Sequence, residues 1–213
     1  MVRFLICVAD KREWDEGFPT LNNAGNSIVS LEDKVIETRI GKVNTLISVA
    51  QAKVFDKVKA IMNFGTAGCM DGSLEIGSLV QCNTFYQRDM FCQTKDRDVF
   101  ITPGEETEGD FLTTKSYDTH LLKASCFTGD SFVLEQSSLT KNDGTPIRYR
   151  VVDMEAYALA KFCKKVGIPF VCVKYITDFG DHDQWELNLK KSCKAFTEFY
   201  TNFCKTQESL TLT

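Results

Sequence analysis

Two histidines, four prolines and no apolar run longer than the six residues Phe4–Ala9 set the first limits on this chain of 213 residues. A membrane-spanning helix needs roughly 20 consecutive apolar residues. The same run is too short for a secretory core and lacks a small-residue cleavage site after it. No excess of basic charge is present: 25 Lys and Arg against 29 Asp and Glu leave −4, where a general nucleic-acid binder would concentrate positive charge. Four prolines and 43% hydrophobic residues argue against disorder and collagen-like repeats. Cysteine is plentiful, nine in all, but no C-x-x-C pair occurs. An odd number of thiols set in apolar runs such as FLICVA and FVCVK reads as small buried hydrophobes, not as a disulfide framework. With two histidines and no matching Cys/His spacing, neither a structural zinc nor any other metal is expected. These features predict a soluble, cytoplasmic protein with no nucleic-acid or membrane partner.

What is present alternates. Short apolar runs at Met1–Ala9, Val35–Ile40, Ala60–Phe64, Gly77–Tyr86, Val151–Met154 and Pro169–Thr177 are predicted strands, and amphipathic stretches between them are predicted helices, an α/β pattern. Gly41-Lys42-Val43-Asn44 opens a helix in which Val43, Ile47, Ala50 and Val54 share the expected core face. The final helix carries Leu189, Cys193, Phe196, Tyr200 and Phe203 at core spacing. Asp89–Asp110 reads as a polar surface excursion. No linker, repeat or low-complexity segment interrupts the pattern, so residues 1–213 are expected to form one domain.

In open α/β sheets ligands collect at the carboxyl ends of strands. Four polar clusters fall at such ends: Asp10–Glu13, Gly65–Gly68, Met154-Glu155 and Thr177-Asp178. Each has a plain structural explanation, a tight turn for the glycines and a helix cap for the acids. Together they would converge three carboxylates, Glu13, Glu155 and Asp178, on one rim. Such a trio needs cations, hydroxyl donors or a basic ring nitrogen to relieve its repulsion. A sugar with vicinal hydroxyls joined to a nitrogen heterocycle meets that need.

Five motifs then occur in order: Gly41-Lys42-Val43-Asn44, Asn63-Phe64-Gly65-Thr66-Ala67-Gly68, Gly129-Asp130-Ser131-Phe132, Val152-Asp153-Met154-Glu155 and Ile176-Thr177-Asp178. In these the chain resembles the nucleoside phosphorylase/nucleosidase superfamily, and most resembles its methylthioadenosine/S-adenosylhomocysteine nucleosidases. The resemblance implies a single-domain three-layer αβα fold with a mixed central β-sheet and cleavage of the N-glycosidic bond of a purine nucleoside, with no cofactor. It implies that Asp178 protonates the leaving base at N7, that Glu155 accepts the ribose hydroxyls beside Met154, and that Glu13 activates water. Phe132 would stack on the base and the Val133 backbone would read its edge. Thr66 and Lys174 would lie near the water, within a site that also includes Ala67, Gly68 and Thr177.

Ile40 would wall the 5′ end, where Asp10 replaces an expected apolar residue. Arg88 is either a partner of Asp89 or a reader of a polar 5′ group. Family members are commonly homodimers, which implies a second copy with Met90–Glu105 laid over its 5′ end. Asn63, and the absence of a Gly- and Arg-rich loop near the N-terminus, favour water over phosphate as nucleophile. A purine nucleoside phosphorylase and a catalytically silent nucleoside-binding relative are the competing readings.

Overall fold

A computed structural model describes residues 4–13, 33–53, 58–109 and 111–211. Its strands are β1 (Phe4–Val8), β2 (Lys34–Glu37), β3 (Ala60–Cys69), β4 (Leu79–Gln87), β5 (Leu122–Thr128), β6 (Val151–Asp153) and β7 (Phe170–Asp178). Its helices are α1 (Lys42–Ala52), α2 (Ala156–Val166) and α3 (His182–Thr211). Among the described residues seven strands form one mixed sheet in the order β2-β1-β3-β6-β5-β4-β7. β7 also pairs with β3, so that β3, β6, β5, β4 and β7 close on themselves and β1 and β2 extend the sheet beyond that ring.

Burial on both faces explains why β1 and β7 read as unbroken apolar runs. On one face Val49 of α1 and Tyr157, Leu159, Ala160 and Cys163 of α2 pack with Leu5, Ile61 and Phe170. On the other, Phe196, Tyr200 and Phe203 of α3 pack with Phe4, Ile6, Met62 and Phe64; Phe64 and Phe196 stack with centroids 5.3 Å apart. The result is three layers, helices on either side of the sheet. No helix among the described residues is long and apolar enough to cross a membrane.

Three local expectations are corrected. Gly65–Gly68 is not a turn: β3 runs straight through it, each residue opposite one of β7 from Lys174 to Asp178. The glycines are there because β7 side chains occupy their side-chain space. A Cβ on Gly65 would stand 3.2 Å from Lys174 Nζ, and one on Gly68 would stand 2.9 Å from Asp178 Oδ1. Secondly, α1 is rotated from its predicted face. Thr45 and Val49 are buried, whereas Val43 is 65% and Ile47 48% exposed, and Ala50 is exposed as well; Val54 lies outside the described residues. Hydrogen bonds at the helix start fix that rotation: Gly41 N–H to Glu155, Lys42 N–H to Asp130, and Thr45 Oγ1 back to the Gly41 carbonyl. Thirdly, the Asp89–Asp110 excursion is anchored. Val99 and Phe100 are buried against Phe127 and Tyr149, and Glu105 pairs with Lys161 of α2.

Candidate active site

The site begins at a gap in the sheet. Along one edge, β3 pairs with β1 as far as Asn63 and with β6 only from Gly68 onward. Between them the β3 backbone has no strand partner on that side among the described residues, and unpaired buried N–H groups are costly. Glu13, closing a 3-10 turn at Lys11–Glu13 after β1, fills the gap. Its Oε1 accepts from Thr66 N (2.7 Å) and Thr66 Oγ1 (2.8 Å). Its Oε2 accepts from Ala9 N (3.2 Å) and Asp10 N (3.3 Å). Glu13 is therefore no surface acid decorating a helix turn. It is 3% exposed, and burial raises its pKa against the opposing pull of the Thr66 amide and the Lys174 ammonium.

Glu155 stands immediately before α2 but does not cap it. Asp153, two residues earlier, takes that role through Oδ2, accepting from Ala156 N at 2.8 Å and Glu155 N at 3.3 Å. The Glu155 carboxylate is thereby free of the helix; it reaches across to Gly41, whose N–H donates to Oε1 at 2.9 Å. Burial, then repulsion from Asp153, pushes its pKa up to about 8.

Asp178 ends β7. The β3–β7 register slips there, Ala67 facing Ile176 but Gly68 facing Asp178, an irregularity of the kind that re-aims a side chain. The cap of α3 is Asp181, whose Oδ1 accepts from Asp183 N and Gln184 N, so capping does not account for Asp178 either. Asp178 Oδ1 accepts from Gly180 N at 2.9 Å, and Oδ2 lies 2.8 Å from Thr177 Oγ1. That hydroxyl is also 3.2 Å from the Ala67 carbonyl. A threonine donating to Ala67 can accept from a protonated Asp178, and one turned round can donate to the ionised form. Either protonation state is served.

A cavity of about 310 Å³ joins these groups, within the size of small-ligand sites. Glu13, Glu155 and Asp178 all line it, as do Ile40, Thr66, Ala67, Gly68, Phe132, Val133 and Met154. Among its described lining residues five are carboxylates (Asp10, Glu13, Asp153, Glu155 and Asp178) and none is lysine or arginine. Lys174 lies behind the wall, fully buried, its Nζ 2.8 Å from Asp153 Oδ2. Asp153 also accepts from Thr128 Oγ1 at 2.5 Å. Lys174 attracts Glu13, Asp153 and Glu155 together. Thr177 is likewise buried behind Asp178.

Arg88 does not line the cavity, nor does it pair with Asp89. Its guanidinium donates to the Gly129 carbonyl (3.0 Å), to Ser131 Oγ (3.1 Å) and to the Ser131 carbonyl. It thus holds the turn that presents Phe132. Asp89 pairs instead with Lys42, which also lies 3.3 Å from Asp130. Asp10 is engaged by the Arg12 side chain, at 2.6 Å between Oδ2 and Nη2, which holds its carboxyl below the usual range.

Sequence reasoning missed His182 and Trp185, which the first turn of α3 brings into the wall. His182 meets Phe132 edge to face at 5.7 Å and Trp185 at 5.2 Å. The signal available was an aromatic pair three residues apart soon after Asp178, one helical turn that must present both to the same side. Asp153 was visible within its motif but had no assigned role.

A mixed sheet between helices, with buried acids gathered into one cavity at the ends of its strands, defines an α/β protein with an acid-lined ligand site. The chain belongs to the phosphorylase superfamily, whose family model matches residues 20–211. It is 27% identical over 184 residues to a 5′-methylthioadenosine/S-adenosylhomocysteine nucleosidase of Buchnera aphidicola, covering 80% of this chain and 77% of that one. Among solved structures it superposes on the nucleosidase of that name from Helicobacter pylori, crystallised with butyl-thio-DADMe-Immucillin-A, with TM-score 0.73 and 20% identity over 97% of this chain and 99% of the other. It also superposes on futalosine hydrolase from the same organism, with TM-score 0.70 and 20% identity over 98% and 99%. At these identities the superpositions establish the shared fold.

Proposed function

We propose that the chain hydrolyses the N-glycosidic bond of a purine nucleoside of the methylthioadenosine/S-adenosylhomocysteine type, releasing free base and a ribose derivative. One observation carries this reading: Glu13, Glu155 and Asp178, far apart in sequence, line one cavity. The strands set the direction of the substrate. Asp178 lies on β7, Glu13 and Asp10 follow β1, and Ile40 follows β2 at the far edge. The base is assigned to the β7 end beside Phe132 and Val133, with the 5′ group toward Asp10 and Ile40.

In this reading Asp178 donates a proton to N7 as the C1′–N9 bond breaks, a role that contributes about 10²–10⁴-fold. Glu155 accepts hydrogen bonds from the 2′- and 3′-hydroxyls and, once ionised, faces the positive charge that develops on the sugar. Glu13, held to the β3 edge, orients and deprotonates water. Lys174, behind it, offsets part of the mutual repulsion of the acids. A phosphate nucleophile would enter an acid-rich cavity with no lysine or arginine among the described lining residues, an unfavourable placement for a dianion. Water is therefore the nucleophile.

Residues 1–213 are read as one domain, and the protein as cytoplasmic, in keeping with nine cysteines of which none forms a disulfide among the described residues. We further assign a homodimer. The resemblance implies pairing, and α1 leaves Val43, Leu46 and Ile47 exposed, as is Ile40, just before the helix at the cavity wall.

The test is release of base from methylthioadenosine, S-adenosylhomocysteine, adenosine and inosine, followed chromatographically with and without phosphate. Release independent of phosphate is expected. Strict dependence on phosphate would instead identify a phosphorylase, and tight binding without release a silent relative.

A further inference from the structure

We infer that Trp185 is a positioning residue for Glu13, acting through the hydroxyl of Thr66; this rests on the hydrolase reading above. The indole nitrogen donates to Thr66 Oγ1 at 3.0 Å, and Thr66 Oγ1 lies 2.8 Å from Glu13 Oε1. An indole N–H is only a donor, and a hydroxyl has only one proton. With the indole proton on one lone pair of its oxygen, the Thr66 hydroxyl is held in place with its own proton directed at Glu13 Oε1. Trp185 therefore anchors the oxygen from which Glu13 receives this hydrogen bond. The Thr66 amide donates to the same oxygen at 2.7 Å while the Ala9 and Asp10 amides hold the other. The hydroxyl is the one of these four donors that can rotate away.

The indole is itself clamped. The Arg12 guanidinium lies over its ring at 5.4 Å and the His182 ring at 5.2 Å. Cys193 Sγ, two turns further along α3, donates to the Arg12 carbonyl at 2.9 Å. Helix α3 thus grips both the turn that carries Glu13 and the hydroxyl that orients it. The titratable and charged groups around Glu13 among the described residues are Lys174 and Asp178 from β7, Asp10 and Arg12 from its own turn, Asp153 and Glu155 at the end of β6, and His182 from α3. Trp185 adds no charge to this set. Its removal should change the protonation of Glu13 only through the Thr66 hydroxyl.

The experiment compares Trp185→Phe, Thr66→Ala and the double variant, with Trp185 also replaced by benzothienylalanine, which keeps the ring's shape and lacks the N–H. On whichever nucleoside of the panel releases base, loss of the indole donor is expected to lower kcat about tenfold with KM changed by less than about twofold. The acidic limb of the pH–rate profile should move to higher pH, because a carboxylate that loses a donor holds its proton more tightly. The double variant should match Thr66→Ala alone, since a residue acting through Thr66 has nothing left to act on. Effects that multiply in the double variant, full activity with benzothienylalanine, or a loss expressed in KM alone would each overturn the inference. A titration of the Glu13 carboxyl by carbon-13 NMR reads the same shift without turnover. If no nucleoside is cleaved, the hydrolase reading fails while the link from Trp185 to Glu13 is still decided.

Discussion

Asp178 occupies the space that a side chain on Gly68 would need. A Cβ built on Gly68 would lie 2.9 Å from Asp178 Oδ1 and 3.1 Å from Val152 Cγ2. Asp178 is nearly inaccessible, tied to Gly180 N on one oxygen and to Thr177 on the other. The acid can be brought to the cavity wall because the strand opposite carries nothing there.

Gly68→Ala should therefore act as a catalytic lesion without replacing a catalytic side chain. Asp178 must move by several tenths of an ångström, and steady-state kinetics should show kcat reduced at least about 10²-fold, as for a misplaced proton donor. Overpacking should also cost about 1–3 kcal/mol, read by urea denaturation.

Asp178→Asn retains the shape and loses the proton. Turnover is expected to fall by about 10²–10⁴-fold while calorimetry still detects the nucleoside. A rate within about threefold of the parent, far short of the loss of a proton donor, would remove Asp178 from the mechanism.

Glu155 gives a prediction about pH. Its folded-state pKa is raised from 4.5 to about 8, so the folded state binds a proton more tightly than the unfolded state. Stability from this group is complete below about pH 4.5 and is lost as pH rises through about 8. Glu155→Gln, which keeps an acceptor for Gly41 N–H and carries no charge, should be more stable than the parent at pH 9 by roughly 1–3 kcal/mol. The same variant should lose nucleoside affinity. Chemical denaturation at pH 6 and pH 9 separates the two effects, and an equal stability difference at both values would contradict the cause assigned here.

The Lys174–Asp153 pair is fully enclosed, and removing one partner of such a pair costs about 3–5 kcal/mol. Lys174→Met should lower stability on that scale, because Asp153, Glu13 and Glu155 then share the interior without their cation. Thermal unfolding at pH 7 measures it, and partial recovery in Lys174→Met with Asp153→Asn is the expected sign of the pairing.

Much of this was legible in the chain. Runs such as FVCVK belong to strands covered on both faces, and the spacing of Leu189, Cys193, Phe196, Tyr200 and Phe203 places them on one face of a helix. The three acids were visible because each follows an apolar strand. What the sequence hid depends on contacts between distant segments. Gly65–Gly68 looks like a turn until Lys174 and Asp178 of β7 are seen to fill its empty side. Helix α1 faces outward where its apolar spacing points inward, because Glu155 and Asp130 catch its first two amides. Trp185 enters the site only because α3 packs back onto the turn that carries Glu13. Val99 and Phe100 sit in a polar stretch whose local pattern says nothing of their burial.

The central claim is that a trio of acids directs water, not phosphate, to the sugar. A single turnover in oxygen-18 water with phosphate present tests it most directly, the sugar product being read by mass spectrometry. The account predicts one heavy oxygen at C1′ and no sugar phosphate. A sugar 1-phosphate carrying no heavy oxygen would contradict it.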